Sequence, residues 1–231
     1  VRSDLLEPVG VEALARWRQA DGSSVSPDLF IIAAERAGVI GQLSTLLLDT
    51  ALREAARLHG AGFPLTISLN LSAQWLDDLH LPDLLLKTAQ EQGLMPVDIN
   101  LEVTETGVTK DIATALDVLT RLRLKGFGLS IDDFGIGYSS FEQIGRIPFT
   151  ELKLDRSFVA RGTRDSAARA ILESSMAMAK KLGLRTVAEG VETQAELALV
   201  RELGCDEVQG FLIARPMPVH DLIAWLRARS R

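Results

Sequence analysis

The sequence predicts an α/β barrel of the (β/α)8 type, parallel strands inside and helices outside. Three observations carry this. Strand-like and helix-like stretches alternate along the whole chain. Each strand-like run has one apolar face and one small or polar face. Acidic and amide residues recur near the C-terminal ends of those runs. The strand-like runs fall at 9–17, 65–72, 99–104, 127–132, 150–154, 185–189 and 207–212. Helical patterns fill the intervals at roughly 27–38, 42–59, 73–92, 111–125, 164–182 and 194–204, with a last one at 218–229. Ser26-Pro27 and Pro218 mark helix starts, and Gly60, Gly93, Gly126, Gly183 and Gly204 follow helix ends.

The faces of the strands separate a barrel from a doubly wound sheet. In "LTISLNLS" Leu65, Ile67, Leu69 and Leu71 oppose Thr66, Ser68, Asn70 and Ser72. In "INLEVT" Leu101 and Val103 oppose Asn100, Glu102 and Thr104. In "FGLSID" Phe127, Leu129 and Ile131 oppose Gly128, Ser130 and Asp132. In "TELKLD" Leu152 and Leu154 oppose Glu151, Lys153 and Asp155. In "GVEALARW" Val11, Ala13 and Ala15 oppose Glu12, Leu14 and Arg16. A sheet covered by helices on both sides would be apolar on both faces. A barrel places alternate residues inside and gathers functional groups at the strand C-termini. Seven runs are visible where such a barrel takes eight. The opening "VRSDLLEPVG" reads as a turn, so the first strand is expected to be missing from this chain. An open seven-stranded sheet is the plainer alternative.

The chain has 231 residues, 47% of them hydrophobic, which suits one large domain. Net charge is −6 with no basic run, which argues against a nucleic-acid groove or an anionic membrane surface. The lone cysteine, Cys205, reads as packing and fits a reducing compartment. No apolar run reaches the ~20 residues of a membrane span, and no signal peptide is legible, so a soluble, cytoplasmic domain is expected.

Glu12, Asn70, Glu102, Asp132, Asp133, Lys153, Glu189 and Gln209 all lie near strand ends. Strands closing in register would bring them to one mouth. The bland alternative is solvated strand ends or internal ion pairs. Clustered carboxylates cannot all stay ionised without cations, and Lys153 alone is too little. The donors are oxygens, and His59, His80 and His220 lie away from the strand ends, so Mg²⁺ or Mn²⁺ suits the set better than Zn²⁺. The adjacent pair Asp132-Asp133 could serve two ions, which would clamp the oxygens of a phosphoester. Lys153 could orient or deprotonate water, or stabilise phosphorane charge. Arg16 could hold a phosphate oxygen. Gly135-Ile136-Gly137 is too short for a phosphate-binding loop and reads as a mobile turn that Glu105 could anchor.

These motifs, in this order, resemble the EAL-domain family of cyclic di-GMP phosphodiesterases over nearly the whole chain. "VEALARW" carries Glu12-Ala13-Leu14 and Arg16. "SLNLSAQ", "LEVTET", "DDFGIGYSS", "ELKLDRSF", "AEGVET" and "VQGFLIARP" follow. Three departures are Ile136, where the family often has a small residue such as Thr, the "QGFLIARP" run, and the family's first strand with its Gln-Pro motif, which is missing.

The resemblance implies a modified (β/α)8 TIM-type barrel with one antiparallel strand, residues 1–231 forming the EAL domain of a larger bacterial signalling protein. It implies hydrolysis of cyclic di-GMP to linear pGpG with two Mg²⁺ or Mn²⁺ ions. Glu12, Asn70, Glu102 and Asp132 would hold one ion, and Asp132 and Asp133 the other. Glu189 would bind metal-bound water or the second ion, and Gln209 would complete the shell. Lys153 would contact the nucleophilic water. Glu105 would brace the loop 134–140. Arg16 would hold substrate phosphate, beside Leu14, with Asp155 and Glu192 lining the cleft. A homodimer and an upstream sensor, receiver or GGDEF module are the partners implied. A non-catalytic receptor of the same fold is the alternative, although all five acids of the metal set are present. From chemistry alone, an enolising Mg²⁺ barrel with Lys153 as base is a third reading.

Overall fold

A computed structural model describes residues 1–104, 112–135 and 145–229. Among the described residues seven parallel strands form one curled sheet in the order β1-β4-β5-β6-β7-β8-β9, with helices outside it, so the barrel expectation holds for these strands. They are β1 (Gly10–Glu12), β4 (Thr66–Asn70), β5 (Ile99–Thr104), β6 (Gly128–Phe134), β7 (Glu151–Leu154), β8 (Arg185–Ala188) and β9 (Glu207–Val208). The helices are α1 (Pro27–Arg36), α2 (Ile40–Gly60), α3 (Leu81–Glu91), α4 (Ile112–Leu124), α5 (Arg156–Gly162), α6 (Ser166–Leu182), α7 (Gln194–Glu202) and α8 (Val219–Arg229).

Period-two alternation explains the layers. Leu101, Val103, Leu129, Ile131, Leu152 and Leu154 point outward and are buried against helix residues such as Leu85, Val118, Leu119 and Leu172. Burying each such side chain contributes roughly 1.5–3 kcal/mol. The opposite face turns inward, and Asn100, Glu102, Ser130, Glu151 and Lys153 are all buried there. Burial of a polar face is tolerable only where its groups satisfy one another or a ligand.

Five expectations change. The run 207–212 is a strand only over Glu207–Val208. The run 9–17 is a strand only over Gly10–Glu12. The chain then leaves the sheet and forms a hairpin, β2 (Trp17–Arg18) against β3 (Ser24–Val25). Its turn is fixed by Asp21, whose carboxylate accepts from the Ser23 amide, and by Gly22 at φ 86°. Leu14 and Arg16 therefore do not continue the inward face of Glu12. Helix 73–92 is broken into a 3₁₀ turn (Ala73–Asp77) and α3, because Asp78 accepts from the His80 amide and Pro82 sits in the first turn of α3. Helix α5 was not expected; the Asp155 carboxylate opens it by accepting from the Ser157 amide at 2.9 Å. The opening stretch is more than a turn. Arg2 pairs antiparallel with Glu207, and Val1 and Ser3 exchange backbone hydrogen bonds with Val208 and Asp206 along the free edge of β9.

The loops after β8 and β9 are stitched together: the Val191 amide donates to the Gln209 carbonyl, and the Leu212 amide to the Val191 carbonyl. Gly210 makes this possible, since a Cβ there would lie 2.2 Å from the Val191 oxygen. Cys205 is buried, and burial pushes its thiol up to about 11, so it is packing as expected.

Candidate metal centre and active site

The inward residues at the C-terminal ends of the strands converge on Lys153. Its Nζ stands 2.6 Å from Glu189, 2.8 Å from Glu102, 3.2 Å from Asp132 and 3.9 Å from Glu12. Lys153 is 2% exposed. Burial penalises its ammonium, but the surrounding carboxylates outweigh that and raise its pKa above the ordinary lysine value. The ammonium so placed lies within hydrogen-bonding reach of the Glu189, Glu102 and Asp132 carboxylates.

The Glu102, Glu189 and Asp133 carboxylates are raised as well, which for an acid favours the neutral form. Burial pushes Glu102 up to about 8, against the pull of Lys153, with Glu12 and Asp132 adding to the rise. Burial likewise pushes Glu189 up to about 7. Asp133 is raised by burial and by Asp132 beside it. One ammonium does not compensate this many acids.

The adjacent aspartates owe their placement to a backbone irregularity. The register between β6 and β7 shifts between Ile131 and Phe134. Asp133 has φ 54°, the left-handed region that Asp tolerates better than most side chains. In a regular strand the two carboxylates would face opposite sides. The irregularity brings both to the mouth, and one oxygen each from Asp132, Asp133 and Glu189 lie within 4.8 Å of one another.

The residues fit a divalent-metal centre on their own chemistry. Every donor is an oxygen. The buried Oδ1 of Asp132 and Oε2 of Glu102 make no hydrogen bond among the described residues, although Lys153 is close to both. Across the mouth, Glu12 at the end of β1 accepts from Asn70 Nδ2 at 3.1 Å and from Gln209 Nε2 at 2.5 Å. The structure thus gathers Glu12, Asn70, Glu102, Asp132, Asp133, Lys153, Glu189 and Gln209.

The other expected residues are placed apart from that core. Leu14 and Arg16 are exposed, and Arg16 donates to the Ala15 carbonyl. Asp155 is 7% exposed and spends one oxygen capping α5, so the structure gives it a capping role. Glu192 is exposed, and its amide donates to Glu196. Glu105 and Ile136, with the rest of the 136–140 loop, lie outside the described residues. Asn100 and Glu151 were read as inward-facing but not as site residues; the period-two step back from Glu102 and Lys153 was the available signal.

The chain is similar to known proteins over most of its length. Curated relatives include MucR of Pseudomonas aeruginosa, a bifunctional diguanylate cyclase/cyclic di-GMP phosphodiesterase, at 40% identity over 94% of this chain and 32% of its own length. NbdA of the same species, a cyclic di-GMP phosphodiesterase, is 42% identical over 94% of this chain and 28% of its own length. The chain therefore spans about a third or less of these relatives. The solved structure of the MucR phosphodiesterase in complex with c-di-GMP superposes with a TM-score of 0.87 at 39% identity, over 93% of this chain and 87% of that one. The EAL enzyme Bd1971, bound to cAMP and cyclic di-GMP, has a TM-score of 0.92 at 27% identity, over 98% of this chain and 62% of that one. Among the described residues no helix is long and apolar enough to cross a membrane. The acidic mouth, its single buried lysine and a match to the EAL domain over residues 2–216 together place this chain in the EAL domain family.

Proposed function

We propose that this domain hydrolyses one phosphodiester of cyclic di-GMP to linear pGpG, using two divalent ions, Mg²⁺ or Mn²⁺. The observation that carries the proposal is the convergence of Asp132, Asp133 and Glu189 beside Lys153. Glu12, Asn70, Glu102 and Asp132 would hold one ion, and Asp132, Asp133 and Glu189 the other. When bound, the ions supply Lewis-acid charge that offsets the growing negative charge on the phosphoester oxygens.

The protein's own groups do the rest. Lys153 presents N–H donors where water must approach, and the carboxylates around it hold that ammonium in place. Asn70 and Gln209 fix the Glu12 carboxylate by hydrogen bonds from two sides. Arg16, exposed just beyond β1, is available to a substrate phosphate as a charge-assisted donor. Leu14, Asp155 and Glu192 complete the proposed cleft, with Asp155 acting through its cap on α5.

The test is hydrolysis followed by chromatography. Cyclic di-GMP should yield pGpG with Mg²⁺ or Mn²⁺, and the product should vanish with chelator and return when the metal is restored. Tight nucleotide binding without product under any metal would sink the catalytic reading and favour a receptor.

We also propose that the domain acts as a homodimer within a longer cytoplasmic chain carrying a sensor, receiver or GGDEF module. Support for the further module comes from the chain's small share of the relatives' length; the homodimer rests on the family resemblance alone. Gel filtration should show a dimer whose dissociation lowers activity. A fully active monomer would overturn that link.

A further inference from the structure

Beneath the acidic mouth lies a second polar layer that the proposed chemistry does not use. Asn100 and Glu151 stand one inward position before Glu102 and Lys153 on the same strands, β5 and β7. Asn100 Nδ2 donates to Glu151 Oε1 at 2.9 Å and reaches Ser68 Oγ at 3.4 Å. The other oxygen of Glu151 faces Arg185 Nη2 at 3.2 Å. Both residues are nearly inaccessible, at 2% for Asn100 and 5% for Glu151.

The two layers share one geometry. Strand β6 lies between β5 and β7, and its inward residues at this depth are Gly128 and Ser130. Because these are small, side chains of β5 and β7 meet above β6. The parallel register aligns Glu151 with Ser130 and Ser130 with Glu102. Each β7 side chain therefore leans back one inward step to reach β5: Glu151 to Asn100, and Lys153 to Glu102. Gly128 leaves room for the lower bridge as it stands, since a Cβ there would lie 2.6 Å from Asn100 Oδ1. A cavity touches both layers, lined by Glu102 and Lys153 above and by Asn100, Glu151 and Arg185 below.

We propose that Asn100 and Glu151 are positioning residues for Lys153. Their hydrogen bond fixes the separation of β5 from β7 across β6, and so the reach of Lys153 to Glu102 and Glu189. Glu151 is suited to this because both of its oxygens are held, one by Asn100 and one by Arg185. The kinetic consequence rests on the phosphodiesterase reading above; the placement of Lys153 does not.

The test therefore pairs turnover with a direct view of the lysine. The chain has only six lysines, so ¹⁵N,¹³C-lysine labelling gives few side-chain signals, and the Lys153 signal is the one lost in Lys153→Met. Burial should slow its exchange with water enough to observe it. Asn100→Ala, Glu151→Ala and Gly128→Ala should each shift or broaden the Lys153 signal and lower kcat about 10-fold, with little change in KM or metal requirement. Glu151→Gln keeps the acceptor for Asn100 and should leave the signal and kcat near wild type. Arg185→Gln, which removes the ion pairs to Glu151 and Glu207 but leaves the Asn100–Glu151 hydrogen bond, should do the same. Melting temperatures identify any variant that fails to fold, and the remaining members of the set then decide. An unmoved Lys153 signal in the folded variants would overturn the proposal. So would equal damage from Glu151→Gln and Glu151→Ala, which would assign the layer to the ion pair alone. If the wild type hydrolyses nothing, the phosphodiesterase reading falls, and the Lys153 signal still settles the positioning.

Discussion

Lys153→Met is expected to lower hydrolysis of cyclic di-GMP by about 10²–10⁴-fold while nucleotide binding is largely kept. Methionine retains most of the apolar stem, so packing changes little. What is lost is a buried ammonium within hydrogen-bonding reach of Glu102, Asp132 and Glu189. The variant carries a second signature. Without the lysine, those carboxylates lose their shared cation, and the metal-free protein should melt at lower temperature. Adding Mg²⁺ should restore more stability to the variant than to the wild type, by mass action on the folded state. Single-turnover kinetics, isothermal binding and paired melts check these outcomes together. An unchanged rate would remove Lys153 from the mechanism.

Asp132→Asn should be comparably severe for a different reason. Asp132 is the member of the cluster assigned to both ions, and its buried Oδ1 has no hydrogen bond among the described residues. Outer partners of a metal site typically cost 10–100-fold when removed, so loss of a shared ligand should raise the metal requirement by more than about 100-fold. The expected curve of rate against Mn²⁺ is displaced to high concentration, with a lower plateau. In the metal-free protein the same change removes a negative charge from a crowded site, so melting temperature should hold or rise. A variant with wild-type metal dependence would exclude Asp132 as a ligand.

Much of this site was legible because strands have a period of two. Asn70, Glu102, Asp132 and Lys153 sit on the polar face of their runs, and the fold only had to curl that face inward. The carboxylate excess followed from residue type alone. What was not legible depended on local backbone choices. The left-handed conformation of Asp133 is one, because Asp permits it without requiring it. The exit of the chain from the sheet after Glu12 is another. Alternation continues through Leu14 and Arg16, but an Asp-Gly turn a few residues later pulls the segment into a hairpin. Asp155 shows how one residue supports two readings. Its place on the polar face of β7 suggested the cleft, while Ser157 two residues on marks it as a helix cap.

The outermost strands of the sheet, β1 and β9, reach each other through the side chains of Glu12 and Gln209. This side-chain contact across the open seam is therefore made from a group also assigned to the chemistry. An ion engaging Glu12, as proposed above, would share that carboxylate with Gln209, which would link ion occupancy to the spacing of the two edges. Linkage of this kind is reciprocal. A partner that pulls on the Gln209 segment would alter ion affinity by the same factor by which bound ions tighten the seam.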